Sequence, residues 1–76
     1  MTTAAYPAVD ESRDRLHRSG WSLGEVCIVG GDGGRPWAVF GANGENLLDV
    51  RGASQSEAWW RACEAARAVG MLRSHP

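Results

Sequence analysis

The sequence has no lysine: its eight basic residues are all arginine, set against nine acidic residues for a net charge of −1. This balance excludes a nucleic-acid binder that works by bulk positive charge. Arginine suits bidentate contacts with carboxylates and phosphates, but its abundance beside alanine and glycine is what a codon bias produces. Cysteine is scarce, with only Cys27 and Cys63. They have no CxxC spacing and stand away from His17 and His75, so neither a disulfide framework nor a metal centre is expected. Free thiols in a reducing cytoplasm are the expectation, with no cofactor. No apolar run approaches the roughly 18 residues that span a membrane. Residues 1–20 lack the apolar stretch of a signal peptide and carry Asp10, Glu11 and Asp14. At 76 residues the chain has room for one domain. A domain of this size buries only about 60% of its unfolded surface, which leaves little room for a deep catalytic cleft.

What the chain does have is a 43% hydrophobic fraction and four tryptophans, Trp21, Trp37, Trp59 and Trp60. That fraction belongs to a folded chain, and each tryptophan is either bulky core or an exposed platform. Residues 1–8 read as a tail, 9–72 as a single domain and 73–76 as a second tail. Asp10 is placed to cap a first helix and Gly20 to stop it. Between them, Glu11–Arg15 and Asp14–Arg18 have the spacing of acid-before-base helix pairs. Only Val9 and Leu16 are clearly apolar there, so this helix is expected to be short and mostly solvated.

Trp21–Val29 reads as a strand. The glycine-rich loop Gly30–Pro36 follows it and lacks every phosphate-binding signature, since no helix opens behind it. A second strand starts at Trp37, so the loop is a hairpin connection. Centring that loop on Asp32-Gly33 sets Ile28 opposite Trp37 and Val26 opposite Val39. Asn43-Gly44 predicts a type I′ turn. It pairs Val39 with Leu48 and Trp37 with Val50 on one face, and Phe40 with Leu47 and Ala38 with Asp49 on the other. Ser54–Glu57 has the pattern of a capping box. The helix behind it carries Ala58, Trp59, Ala62, Cys63, Ala66 and Val69 as one apolar stripe. Trp60 falls on its flank, and Gly70-Met71 suits a Schellman ending.

The expected fold class is therefore α+β, in the order α-β-β-β-α: a three-stranded antiparallel sheet with a C-terminal helix on one face and a short N-terminal helix. The other sheet face would carry Cys27, Ala38, Phe40 and Leu47, with Glu25 and Asp49 among them. It needs a cover, whether the N-terminal helix, a second copy or a partner.

Over residues 10–70 this order resembles the double-stranded RNA-binding domain, and Gly52–Ala58 with Ala62 and Ala66 is similar to the start of that family's second helix. That family grips phosphates with lysines in the first turn of the helix. Here Gln55, Ser56 and Trp59 stand instead, and Glu57 adds a negative charge, so the resemblance implies a fold rather than RNA binding. The Glu57-Ala58 helix start also resembles three-stranded DNA-binding domains of the integrase arm type. Gly52, Ser54, Glu57 and Ala58 resemble the helix start of HicB-type antitoxins. As a whole, Asn43–Asn46, Glu57-Ala58-Trp59 and Gly70-Met71-Leu72 look most like a small bacterial β-β-β-α domain type. That likeness implies an architecture and no chemistry.

No residue stands out as catalytic: the histidines lie on solvated segments, Cys63 faces the core and Cys27 is central in a strand. The expectation is a non-catalytic interaction module. It would bind a protein partner or itself through Phe40, Leu47 and Trp60, on the free sheet face or an edge strand. The alternative is nucleic-acid binding through Arg13, Arg15, Arg18, Arg35 and Arg51.

Overall fold

Gly20 ends the first helix with the geometry its position suggests. Its φ is +97°, its N–H donates to the His17 carbonyl at 3.0 Å and the Trp21 N–H donates to Leu16 at 3.1 Å. These two bonds make a Schellman motif, and its hydrophobic contact joins Trp21 to Leu16, both buried. The computed structural model describes residues 6–28 and 36–72. The element order is α1 (Val9–Arg18), β1 (Ser22–Cys27), β2 (Trp37–Asn43), β3 (Asn46–Gly52) and α2 (Gln55–Ala68). The α+β class and the α-β-β-β-α order match the sequence reading. Residues 1–5 of the first tail, the whole second tail and the loop centred on Asp32-Gly33 lie outside the described residues.

Asp10 does not cap α1. The helix begins two residues earlier than that cap would start it, with Ala8 at the N-cap and no side-chain cap, and Asp10 instead lies in the first turn beside Arg13 at 3.5 Å. The Asp14–Arg18 pair forms at 3.0 Å. α1 is also less solvated than its composition implies, because Ser12 and Leu16 are both buried. The Cys63 thiol donates to the Ser12 carbonyl at 3.6 Å. A serine facing a cysteine lets α1 lie close against α2.

The sheet is antiparallel in the order β1-β2-β3. The β2–β3 turn differs from the expected type I′. Asn43 pairs with Asn46, so the loop residues are Gly44 and Glu45. Only Gly44 has positive φ, at +64°, which is the pattern of a type II′ turn. The register therefore shifts by two residues: Val39 faces Val50, Phe40 faces Asp49, Ala38 faces Arg51 and Leu47 faces Ala42. The cause is the Asn43 side chain, which donates to the Ser19 carbonyl at 2.9 Å and so holds Asn43 in the strand at the end of α1. An even shift keeps every residue on its expected face.

The β1–β2 register differs by one residue, and that does exchange faces. Val26 pairs with Ala38 and Cys27 with Trp37. Leu23, Glu25 and Cys27 thus share the helix side, while Val26 points away from it. The entry from α1 sets this parity. Trp21 is buried directly after Gly20, and Leu23, two residues on, follows it into the core cluster. A long glycine-rich loop imposes no register of its own.

The capping box forms at α2: the Glu57 N–H donates to Ser54 Oγ at 3.1 Å. The Glu57 carboxylate reaches back one residue further than expected and accepts the Ala53 N–H at 2.7 Å. Ala58, Trp59, Ala62, Cys63 and Ala66 are buried as the stripe predicts. Val69 is not, being 49% exposed, because α2 ends before it and the chain turns at Gly70. There the Met71 N–H donates to Ala66 at 2.9 Å, completing the Schellman ending. Gly52 is buried under the start of α2, where a Cβ would lie 2.5 Å from the Ala58 nitrogen. Both helices lie on the same side of the sheet, around Leu16, Trp21, Val39, Leu48 and Trp59. No helix among the described residues is long and apolar enough to cross a membrane.

Candidate interaction face

Alternation along the strands puts three rows of side chains on the face away from the helices: Ser22–Ala42–Leu47, Gly24–Phe40–Asp49 and Val26–Ala38–Arg51. Neither helix covers them. Phe40 and Val26 are each 46% exposed and Leu47 is 76% exposed. Ala38 is buried among its larger neighbours. The Phe40 ring lies against Gly24, where a Cβ would approach it to 2.7 Å. Between Phe40 and Leu47 is an open hollow of ≈ 530 Å³, floored by Gly24 and Ala42 and bounded by Ser22 and Asp49.

Phe40 and Leu47 thus share this face, though not as direct partners. Cys27 and Glu25, expected beside them, sit on the opposite side, and Val26 takes their place. Trp60 is not brought to this face. It is half-buried on α2, with the Tyr6 ring 5.3 Å away and inclined by 44°. With Val50, Arg61 and Glu64 it lines a depression on the helix side of β3, which Arg51 borders from the sheet edge.

The arginines do not converge. Arg13 pairs with Asp10 at 3.5 Å and Glu25 at 3.7 Å, and its guanidinium carbon lies 5.1 Å from the centroid of the Trp59 ring. Arg18 is held by Asp14 at 3.0 Å. Arg15 is half-buried, and its charge acts on the Cys63 thiol. Arg51 is exposed on the free sheet face, away from α1. Arg35 lies outside the described residues.

The polar centre that sequence reasoning misses is Glu25. Its Oε1 accepts the Trp59 indole N–H at 2.7 Å and the Gln55 amide at 2.9 Å. The Gln55 bond, then Trp59 and the Arg13 charge, hold its carboxyl below the ordinary value of 4.5 against partial desolvation. This cluster ties β1 to both helices. Only the parity of β1 brings it together, so no local motif announces it. Glu57 is also held below its ordinary value, by the Ala53 N–H first and Arg61 second.

Burial pushes the Cys63 thiol up, which makes it a poor nucleophile. Among the described residues no three His, Cys, Asp or Glu side chains are grouped to hold a metal ion. Trp21 closes the helix layer by donating its indole N–H to the Met71 carbonyl at 2.8 Å. Comparisons with protein-family models, with curated proteins and with solved structures return no match.

Proposed function

We propose that this protein is a non-catalytic interaction module whose working surface is the sheet face bearing Val26, Phe40 and Leu47. The observation that carries the reading is the placement of both helices on one side. It leaves a sheet in which Phe40 and Val26 are 46% exposed and Leu47 76% exposed. Apolar side chains gathered on one face are a favourable docking surface, because covering them removes hydrocarbon from water at no polar cost. The flanking Asp49 and Arg51 supply a polar rim. The nucleic-acid alternative through Arg13, Arg15, Arg18, Arg35 and Arg51 draws less support, since Arg13 and Arg18 already hold carboxylates.

The test is site-specific photocross-linking of the full chain in the cells it comes from. A cross-linking residue at Leu47 is expected to form protein adducts, and one at Glu11 on the outer surface of α1 is not. The absence of adducts at Leu47, or equal yields at both positions, would refute the assignment of this face.

A further inference from the structure

We propose that the occupant of the free sheet face is a second copy of this chain, packed face to face about a two-fold axis. The axis crosses the strands at the level of Glu25, Val39 and Val50. The inference rests on the reading of this face as an interaction surface and names what covers it.

Register carries the argument. The two rows on either side of that level are Gly24–Phe40–Asp49 and Val26–Ala38–Arg51. A two-fold axis perpendicular to the strands sets each strand antiparallel to its own copy and lays each row on the other. Asp49 then meets Arg51 across the axis, twice because the interface is isologous, and Phe40 is set over the row that holds Ala38 rather than over its own copy. Ala38 is already buried and Gly24 lies under the Phe40 ring of its own chain, so the opposite charges make the match at this level. No other level does this. Moving the axis one residue one way sets Phe40 on Phe40 and Asp49 on Asp49, and one residue the other way sets Arg51 on Arg51.

The charges are available for such a contact. Among the described residues neither Asp49 nor Arg51 takes part in an ion pair within the chain, whereas carboxylates on both helices hold arginines at 2.7–3.5 Å. Antiparallel strands stacked in this way lie within the aligned class of sheet packing, with sheets about 10 Å apart. The face is small. Three strands about 4.8 Å apart and seven residues at about 3.4 Å give a footprint of roughly 14 by 24 Å. Specific interfaces begin near about 1,000 Å² in total, so the dimer is expected to dissociate on dilution.

Sedimentation equilibrium over a range of concentrations tests this. The wild type is expected to move from monomer to dimer as concentration rises. Asp49→Arg makes this part of the face wholly basic and Arg51→Asp makes it wholly acidic. Each variant alone is expected to weaken dimerisation by at least about tenfold through like-charge opposition. Mixed in equal amounts they are expected to form a heterodimer, and the double variant carrying both exchanges is expected to recover self-association. Thermal melts of each variant at low concentration establish that it is folded, and Asp49→Asn with Arg51→Gln replaces any that is not, with a smaller loss expected.

Self-association that is indifferent to Asp49→Arg overturns the proposal, as does a wild type that stays monomeric. If that monomer still cross-links at Leu47 to a different protein, the interaction reading survives and only the second copy is wrong. If it forms no adduct at Leu47, both fail.

Discussion

At the residue scale, Glu25 shows how a single carboxylate is placed by its surroundings. Trp59 and Gln55 donate to it and Arg13 stands 3.7 Å away. Its folded pKa lies below the ordinary 4.5, while the unfolded chain leaves it near that value. The ionised carboxylate therefore contributes its full stabilisation above about pH 4.5 and loses it as pH falls through the lowered folded value. Glu25→Gln keeps an acceptor for Trp59 but removes the charge facing Arg13. Thermal melts between neutral pH and pH 3 should show a shallower acid loss in this variant than in the wild type. Parallel acid limbs in the two proteins would mean that Glu25 contributes no pH-dependent stability. The residual slope in the variant is assigned in part to Glu57, which is lowered in the same direction.

At the scale of elements, each helix is ended by its own local chemistry. Both C-termini close through glycines in the left-handed region, Gly20 and Gly70, and the N-terminus of α2 is closed by Ser54 and Glu57. Ser54→Ala removes the acceptor of the Glu57 N–H and is expected to cost about 1 kcal/mol in urea unfolding. A loss close to zero would show that water serves this N–H equally well. α1 has no such side-chain cap. Its place in the fold rests on Leu16, Ser12 and the cation-over-ring contact from Arg13 to Trp59 rather than on intrinsic helix stability, which is marginal over ten residues.

At the scale of the whole molecule, the two faces of the sheet are predicted to behave oppositely. Leu16 is fully buried between the helices and the sheet. Leu16→Ala is expected to cost roughly 2–5 kcal/mol. Leu47 is 76% exposed, and Leu47→Ser is expected to change the stability of the monomer by less than about 0.5 kcal/mol. Denaturant melts at a concentration low enough to exclude association compare the two directly. A large loss from Leu47→Ser would make that face part of the core.

The sequence by itself determined the elements and their ends. Helix stops, capping box, turn and apolar periodicity are set by contacts within a few residues, so they are visible in a short window. It also placed β2 and β3 on their correct faces, because a hairpin turn of either primed type shifts register only by an even number. Phe40 and Leu47 were therefore identifiable as free-face residues. Tertiary structure alone decided the rest. The parity of β1 follows from the burial of Trp21 against Leu16, across a loop that carries no register, and it sends Val26 outward and Glu25 inward. Ser12 became core because it faces Cys63 on another helix. That α1 joins α2 rather than covering the free face shows only in the packing, where Leu16 and Ser12 are buried with Ala62, Cys63 and Ala66 of α2.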